Sequence, residues 1–375
     1  MKTKPSTRIL AALLSAMLIV ALLPGCGSQS QSASSSAAAV SSQAAVSSSV
    51  SGTRQITDMV GNSVTIPAEI NKVFCTSPIG TYIMYTLAPQ KLLGWNSQLS
   101  DDAKQYISKD CQDLPVLGGT MGGKNSFNTE AITALNPDII LDFAYNGEVS
   151  DMVTQLGEQT GIPVVTLDSG LTATPDSYRL LGEIVGAEDR GNELADYAQK
   201  TLDSISSMVS KVPDNEKVKI YYAESADGLK TDGNDSMHTE VINFVNAINV
   251  VNMDTSASGS GTAVSMEQIL NWNPDVILAN SAMGGSDFLS TVYGDSTWAS
   301  ISAVQNQRIY VPASLPFSWF DRPPCIARII GAEWLAAKLY PDYVKVDLTG
   351  DVKSFYKTFY HVDITDAQAN TLIGN

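Results

Sequence analysis

Short apolar runs and longer stretches of helical periodicity alternate along the chain from residue 54 onward. Apolar runs bounded by polar or turn residues are typical of buried strands, and amphipathic stretches between them are typical of helices. The predicted strands lie at 72–76, 138–143, 163–167, 218–223, 275–279 and 308–311. Before them, residues 56–67 predict a β-hairpin whose turn is at 60–63. Strands that alternate with helices favour parallel sheets, so the pattern predicts an α/β fold.

A long helical stretch lies between the first three predicted strands and the last three. Its first part covers 176–186 and its second part 189–212, and Pro213 then ends it. At about 1.5 Å per residue, the second part would be about 36 Å long, enough for a rigid rod between two lobes. The same pattern also fits one more surface helix packed on a single domain.

An internal repeat links the two halves of the chain. The segment 130–141 (EAITALNPDIIL) recurs at 267–278 (EQILNWNPDVIL), 137 residues later and with seven of twelve positions identical. In each copy a polar capping residue, Asn128 or Ser265, precedes a short helix. The Asn-Pro pair ends that helix, because the residue before proline disfavours the α conformation. The repeat therefore predicts the same helix–strand unit in each lobe.

Each copy of the repeat begins with a glutamate, Glu130 or Glu267, at the predicted second position of its helix. The helix dipole stabilises a carboxylate there by about 0.3–1 kcal/mol, which is one explanation for both residues. Their matched register suggests another. Two outward carboxylates, one per lobe, could each meet a basic patch on one half of a two-fold symmetric partner. We favour this docking hypothesis.

The N-terminal segment has the pattern of a secretion signal. Lys2, Lys4 and Arg8 precede an apolar run at 9–23, which is shorter than the roughly 20 residues that span a bilayer. The Leu-Pro-Gly-Cys sequence that follows resembles a bacterial lipobox, whose cysteine, here Cys26, receives a lipid anchor. A secreted protein with an unrelated cysteine is the alternative.

The segment after Cys26 is almost entirely Ser, Ala, Gln, Gly and Val, which predicts a disordered tether. The protein would therefore be extracytoplasmic and held at the cell membrane by its N-terminal lipid. The roughly 320 residues that remain are too many for one compact core and fit two lobes. We expect a signal peptide at 1–25, the lipidated cysteine and tether at 26–53, a first lobe at 54–174, a connecting helix at 175–213 and a second lobe at 214–375.

Composition excludes several classes of function. The formal net charge of −16 argues against nucleic acid and anionic membrane surfaces as partners. Cys75, Cys111 and Cys325 lack the spacing of a metal site and are expected to be buried thiols, with a Cys75–Cys111 disulfide as the alternative. The sequence has two histidines and no GxSxG, HExxH or Walker motif, which argues against an enzyme.

Three motifs resemble those of the class III binding proteins of ABC importers, a family that serves iron–siderophore, haem and cobalamin uptake. They are ITDMVGNSVTIP at 56–67, the two copies of the repeat, and PFSWFDRPP at 316–324. The resemblance implies two Rossmann-like lobes joined by one long helix, with the ligand in the cleft between them. It also implies that Glu130 and Glu267 pair with arginines of a permease homodimer or pseudo-symmetric dimer, which works with an ATPase. The binding protein itself is expected to be a monomer without a cofactor.

Ligand contacts in such a fold are expected in the loops that follow the carboxyl ends of the strands. The candidates are Trp95 and Lys124 in the first lobe, and Tyr222, Glu224, His238, Trp319, Phe320 and Arg322 in the second. Trp319 and Phe320 would contact the ligand or pack in the core. Arg322 would bind an anion or pair with Asp321, and Lys124 would bind an anion or remain solvated. His238 would complete the coordination of a partly chelated metal or serve as an ordinary polar residue.

The resemblance favours a metal complex as the ligand, above all an iron(III)–siderophore. The chain has few arginines, which disfavours a highly anionic catecholate complex. Haem, a corrinoid or a small oxyanion bound by glycine-loop amides remain alternatives, whereas free Zn²⁺ or Mn²⁺ would need several nitrogen ligands. A surface enzyme or sensor that reuses the fold is a further alternative, but such a protein would have no reason to keep the paired glutamates.

Overall fold

The computed structural model describes residues 52–121, 124–125, 127–253, 261–280 and 285–374. Its strands are β1 (Thr53–Thr57), β2 (Ser63–Pro67), β3 (Val73–Cys75), β4 (Thr120–Met121), β5 (Lys124–Asn125), β6 (Ile139–Ala144), β7 (Val164–Asp168), β8 (Lys219–Ala223), β9 (Lys230–Thr231), β10 (Ile248–Asn249), β11 (Thr262–Ala263), β12 (Val276–Ala279) and β13 (Ile309–Tyr310). Its helices are α1 (Pro78–Leu87), α2 (Asp101–Lys104), α3 (Thr129–Leu135), α4 (Asp151–Thr160), α5 (Thr174–Val185), α6 (Glu188–Val209), α7 (Glu240–Phe244), α8 (Met266–Trp272), α9 (Gly285–Gly294), α10 (Ser302–Gln305), α11 (Arg328–Leu339), α12 (Leu348–Tyr360) and α13 (Asp366–Ile373).

Each lobe is built on one parallel sheet. The first-lobe sheet has the order β3-β6-β7, and the second-lobe sheet has the order β10-β8-β12-β13. Phe74 lies opposite Ile140 in the first sheet, and Ile277 lies opposite Tyr221 in the second. Every residue of β3 and β12 is buried, as expected of parallel strands covered on both faces. The predicted α/β fold is confirmed, and each predicted strand corresponds to an observed one.

The predicted hairpin is also present. Strands β1 and β2 pair antiparallel, with Ile56 opposite Val64. In the turn, the Asp58 carboxylate accepts a hydrogen bond from the Asn62 amide at 2.7 Å, and Gly61 has a left-handed backbone (φ 88°), which glycine adopts without a steric cost.

The long helical stretch forms two helices that pack against each other. Helix α5 ends at Gly186, whose φ is 65°, and α6 follows with 22 residues, which corresponds to about 33 Å. The crossing is close, because a Cβ added to Gly191 would lie 2.7 Å from the Tyr178 carbonyl oxygen. One face of α6 is buried through Leu194, Ala198, Leu202, Ile205 and Val209. This is the spacing expected of an amphipathic helix, and α6 is the long helix that the sequence predicts between the lobes.

The last helices return to the first lobe. Helix α11 packs against α6, and α12 packs against α1. The Tyr85 hydroxyl on α1 donates to the Tyr360 carbonyl on α12 at 2.6 Å. Buried residues of both lobes and of α11 and α12 form one continuous hydrophobic cluster, so the lobes share a core. The proposed lobe boundary at 213/214 stays a prediction.

Cys75, Cys111 and Cys325 are buried free thiols, as expected, and the alternative Cys75–Cys111 disulfide does not form. Burial raises the pKa of Cys325 to about 12, which keeps it protonated. Among the described helices, none is both long and apolar enough to cross a membrane. The predicted signal peptide, Cys26 and the tether lie outside the described residues.

Candidate ligand site between the lobes

The two copies of the repeat form equivalent helices. The Asn128 side chain accepts a hydrogen bond from the Ala131 amide at the start of α3, and Ser265 accepts one from the Gln268 amide at the start of α8. Glu130 and Glu267 occupy the second position of these helices and are exposed. Each helix ends at an asparagine in the left-handed conformation, Asn136 or Asn273. The sequence therefore predicts correctly where both glutamates sit on their helices.

The aspartate that follows the Asn-Pro pair explains another part of the repeat. In the first lobe, Asp138 Oδ2 accepts hydrogen bonds from the amides of Asn71 at 2.6 Å and Lys72 at 2.8 Å, just before β3. In the second lobe, Asp275 Oδ2 accepts one from the Lys219 amide at 2.9 Å, at the start of β8. In each lobe this aspartate joins the central strand to its neighbour in the sheet.

A cluster of polar side chains lies beyond the carboxyl end of β8 and β12. It consists of Tyr222, Glu224, Asp232, His238, Asn280, Asp321 and Arg322, and is called the second-lobe cluster below. Arg322 Nη2 donates to Glu224 Oε2 at 2.5 Å and to Asp232 Oδ2 at 3.1 Å, and Arg322 Nε lies 3.6 Å from Asp321 Oδ2. Arg322 also has a left-handed backbone (φ 57°), a conformation that persists where surrounding contacts enforce it. Three carboxylates thus hold one guanidinium in place.

Asp321 also orients His238. His238 Nδ1 lies 2.6 Å from Asp321 Oδ1, and the Tyr222 hydroxyl donates to Asp321 Oδ2 at 3.1 Å. An ionised carboxylate accepts the Nδ1 proton, so a neutral imidazole has its lone pair on Nε2. Nε2 lies 3.5 Å from Arg322 Nη1. The side chains of His238 and Arg322 are 16% and 12% exposed. These two residues are therefore the part of the cluster that solvent reaches, and the carboxylates lie buried behind them.

The second-lobe cluster carries more negative than positive charge. Burial raises the pKa of Glu224 to about 8; Arg322 opposes this shift, and Asp232 and Asp321 add to it. Glu224 Oε1 and Asp232 Oδ1 are buried and have no hydrogen-bond partner among the described residues. A buried polar atom without a partner costs about 1–3 kcal/mol. The cluster is therefore not arranged for stability alone.

The first-lobe side of the cleft has a different chemistry. The Thr76 hydroxyl donates to Asp142 Oδ1 at 2.5 Å, and both side chains are buried. Burial raises the pKa of Asp142, and the Thr76 hydrogen bond opposes this shift. Ser77 precedes α1, and its buried hydroxyl has no partner among the described residues. This end of the sheet provides hydroxyl groups and a carboxylate that is already hydrogen-bonded.

A charged pair joins the two lobes beside the cleft. Arg328 is buried; its Nη1 donates to Glu240 Oε2 at 2.7 Å and its Nη2 to the Ser169 carbonyl at 2.5 Å. Both Glu240 carboxylate oxygens accept from the Leu171 amide, at 2.9 and 3.0 Å. Both members of the pair therefore bind backbone groups of the first lobe: Arg328 binds the Ser169 carbonyl and Glu240 binds the Leu171 amide. The pair thereby links the two lobes.

Three aromatic candidates are buried. Trp95, Trp319 and Phe320 are 2%, 0% and 3% exposed. Core packing was one of the two alternatives for Trp319 and Phe320, and a ligand contact by Trp95 stays a prediction. Trp95 Nε1 donates to the Cys111 carbonyl at 2.8 Å, and Trp319 Nε1 to the Tyr356 hydroxyl at 3.3 Å. The core therefore covers the apolar surface of all three rings and supplies an acceptor for the one donor of each tryptophan.

The remaining candidates are placed as follows. Tyr222, Glu224, His238 and Arg322 come together in the second-lobe cluster. Arg322 pairs with Asp321, as one alternative anticipated, and also with Glu224 and Asp232. The side chain of Lys124 lies outside the described residues.

Sequence analysis did not identify Asp232 and Asn280 individually, nor the Glu240–Arg328 pair. Asn280 could have been found, because it follows β12 at the carboxyl edge of the parallel sheet, whereas Asp232 follows β9 of the separate β9–β11 pair. Arg328 gave no signal, since a sequence does not distinguish a buried arginine at the start of a helix from an exposed one.

Comparison with known proteins identifies the family. Residues 85–314, more than half of the chain, match the family model described as periplasmic binding protein, and the chain belongs to this family. The molybdate-binding protein MolA of Haemophilus influenzae is 27% identical over 338 residues, covering 82% of this chain and 91% of MolA. The uncharacterized ABC transporter substrate-binding lipoprotein YvrC of Bacillus subtilis is 26% identical, covering 77% and 86% of the two chains. The ABC transporter solute binding protein of Sulfurospirillum deleyianum has a TM-score of 0.78 at 30% identity and covers 86% of this chain and 99% of its own.

These findings confirm the central sequence prediction. The chain is the substrate-binding component of an ABC importer, with two lobes that enclose a ligand cleft, and it is not an enzyme. It binds a transported solute rather than a cofactor, and it works with the permease and ATPase of its transporter.

Proposed function

We propose that this chain is a monomeric lipoprotein, anchored at Cys26 outside the cytoplasm. It captures an iron(III)–siderophore complex and delivers it to a permease dimer. The observation that carries the delivery step is the pair of equivalent helices α3 and α8. Each presents an exposed glutamate, Glu130 or Glu267, at the same helical position. A partner with two-fold symmetry would present one basic patch to each.

Electrostatics explains how two glutamates would direct docking. Exposed charge pairs contribute modestly to affinity, but complementary charges fix the register of a complex and raise its rate of association. The N-terminal ends of α3 and α8 leave the Glu130 and Glu267 carboxylates accessible. Arginine forms two parallel hydrogen bonds with a carboxylate, which makes it the best-suited residue on the permease side.

The proposed ligand would lie between the second-lobe cluster and the first-lobe strand ends. His238 is the partly exposed imidazole of the cluster: Asp321 orients it through Nδ1, and its Nε2 lies 3.5 Å from Arg322 Nη1. It would complete the coordination of an iron complex whose siderophore leaves a position open. Tyr222, Glu224 and Arg322 would form the floor beneath it, and Lys124 is a further proposed contact from the first lobe.

A small oxyanion is the second candidate, favoured by the similarity to MolA. The Ser77 hydroxyl at the start of α1, which has no partner among the residues that the structure describes, would suit an anion, since the amino end of a helix attracts negative charge. The excess negative charge of the second-lobe cluster acts against it.

Charge reversal tests the docking step. Replacing both residues, Glu130→Arg and Glu267→Arg, should abolish uptake and leave ligand affinity of the soluble protein unchanged, because both side chains lie on the outer surface. Uptake is measured with radiolabelled ferric complex in cells that express each variant. Glu158→Arg, an equally exposed position on α4, is the matched control. Uptake at the wild-type rate by the double variant would refute the docking role.

A thermal-shift screen tests the choice of ligand. The panel comprises a ferric trihydroxamate, a ferric catecholate, haemin, cobalamin and molybdate. A ligand at a hundred times its Kd stabilises the folded state by about 2.7 kcal/mol, so the ferric trihydroxamate should raise Tm by several degrees. A shift with molybdate alone would establish the second candidate.

A further inference from the structure

Two buried acceptor oxygens of the second-lobe cluster have no hydrogen-bond partner in the described part of the chain. Glu224 and Asp232 are both fully buried, and each directs one carboxylate oxygen to Arg322 Nη2. The other oxygen of each, Glu224 Oε1 and Asp232 Oδ1, has no hydrogen-bond partner among the described residues. Because burial raises the pKa of Glu224 to about 8, Glu224 is largely protonated at neutral pH. One guanidinium then faces the Asp232 and Asp321 carboxylates and neutralises only part of their charge. Negative potential therefore extends beyond the cluster into the cleft.

The charged groups around Tyr145 in the first lobe are also mostly carboxylates. Burial raises the pKa of Tyr145, Glu240 adds to the shift, Arg328 opposes it, and Asp168 and Asp235 raise it further. Three carboxylates and one guanidinium thus act on a hydroxyl that follows β6. Among the described residues, the groups that act on Tyr145 therefore include more carboxylates than cations.

A bare metal ion does not fit this arrangement. Among the described residues, no group of three or more histidine, cysteine, aspartate or glutamate side chains is placed to hold one. Arg322 already separates Glu224 from Asp232 and leaves no room for an ion between them. The excess charge therefore acts on the ligand as a whole through its field.

We propose that the second-lobe cluster makes the cleft selective for solutes with a net positive charge. This inference rests on the proposed function, in that it assumes capture of a solute in the cleft, and it specifies the charge class of that solute. A cationic ligand would neutralise the charge that Arg322 leaves uncompensated. An anionic complex would be repelled by Asp232 and Asp321, and also by Glu224 once Glu224 has lost its proton.

Two matched probes test the charge preference directly. One is a linear ferric trihydroxamate that ends in a trimethylammonium group, and the other is the same complex ending in a tert-butyl group, which has the same shape and no charge. Tryptophan fluorescence or calorimetry gives both Kd values. We expect the cationic probe to bind about tenfold more tightly. Tenfold corresponds to about 1.4 kcal/mol, which is the order of the interaction between two unit charges at a partly exposed site. Equal affinities, or tighter binding of the neutral probe, would overturn the proposal.

Variants assign the preference to the cluster. Asp232→Asn should reduce the preference at every pH, whereas the exposed Glu158→Gln should leave it unchanged. Glu224 faces Asp232, Asp321, Arg322, Tyr221 and Tyr222. As it loses its proton through pH 8, the preference for the cationic probe should grow between pH 7 and 9. Glu224→Gln should remove this growth, and a purely structural role would leave the pH profile unaltered.

Failure of the proposed ligand can be separated from failure of this inference. If neither ferric probe binds, the siderophore assignment is wrong, and the charge inference is decided on the ligand-free protein. Asp232→Asn relieves repulsion while it keeps an acceptor for Arg322, so its Tm should equal or exceed that of the wild type. A Tm lowered by several degrees would mean that the cluster is a structural ion-pair network and would refute the inference.

Discussion

The two lobes are alike on their outer surface and different where they face each other. Helices α3 and α8 share their capping pattern, their exposed glutamate and their left-handed final asparagine. At the cleft, the first lobe has hydroxyl groups and a hydrogen-bonded aspartate, whereas the second has a buried ion cluster. The repeat therefore preserves what both lobes need for folding, together with the two glutamates that we propose for docking. The polar groups at the cleft have no such constraint, and the buried ion cluster occurs in the second lobe alone among the described residues.

The likeness has a simple physical basis. A short helix needs partners for its terminal amide and carbonyl groups, and a polar cap with a left-handed end residue supplies them locally. The neighbouring strand is then fixed by Asp138 or Asp275. None of these contacts depends on the opposite lobe, so the same sequence works twice.

The largest effect on this comparison should come from Arg322→Met. The substitution keeps most of the apolar stem but removes the guanidinium that pairs with the buried Asp232 and Asp321 carboxylates, and breaking a buried pair in this way costs about 3–5 kcal/mol. Urea denaturation of the ligand-free protein measures the change in free energy of unfolding. Arg179→Met is the control, because Arg179 pairs with exposed Asp196 and exposed pairs contribute about 0–1 kcal/mol. A similar cost for both variants would show that the second-lobe cluster is not specially dependent on its arginine.

The pH dependence of stability should also distinguish the lobes. Burial raises the pKa of Glu224 to about 8, so the folded state binds more protons than the unfolded state between about pH 4.5 and 8. The contribution of Glu224 to the free energy of unfolding is fully present below its unfolded pKa and is lost as pH rises towards 8. Above pH 8 this contribution no longer changes, and the total loss is on the order of a few kcal/mol. Tm at pH 5.5 and 8.5 checks the sign.

Variants sharpen this measurement. Glu224→Gln should remove most of the fall in Tm, and Glu333, whose pKa burial raises to about 7 with help from Asp351, should account for part of the remainder. Asp142→Asn in the first lobe should remove less, because the Thr76 hydrogen bond opposes the shift of Asp142. A Tm that rises from pH 5.5 to 8.5 in the wild type would contradict the assignment.

The smallest effect concerns the equivalent aspartates. Asp138→Ala removes an acceptor for two backbone amides and Asp275→Ala an acceptor for one. We therefore expect losses of about 2 and about 1 kcal/mol, respectively, in these half-buried sites. Chemical denaturation gives both values. The asparagine variants, which keep an acceptor oxygen, should lose less in each case, and equal losses from both alanine variants would mean that the count of hydrogen bonds does not set the difference.

Local patterns predicted much of this molecule because their causes are local. The apolar runs specified the strands, the cap residues specified α3 and α8, and the spacing of buried residues specified α6. The sequence left open whether Trp319 and Phe320 contact the ligand or pack in the core, because an aromatic residue near a cleft and one in a shared core have the same sequence signal. Trp319 is buried and donates to Tyr356 of α12, which returns from a distant part of the chain.

By itself the sequence determined the α/β class, the connecting helix, the repeated unit and the positions of Glu130 and Glu267, since each depends on residues a few positions apart. Only the tertiary structure decided that Glu224 and Asp232 meet Arg322 and that Arg328 and Glu240 bridge the lobes. These contacts join residues about 90 positions apart. Whether such charges neutralise one another or leave an excess depends on distances and burial that arise when the lobes pack together.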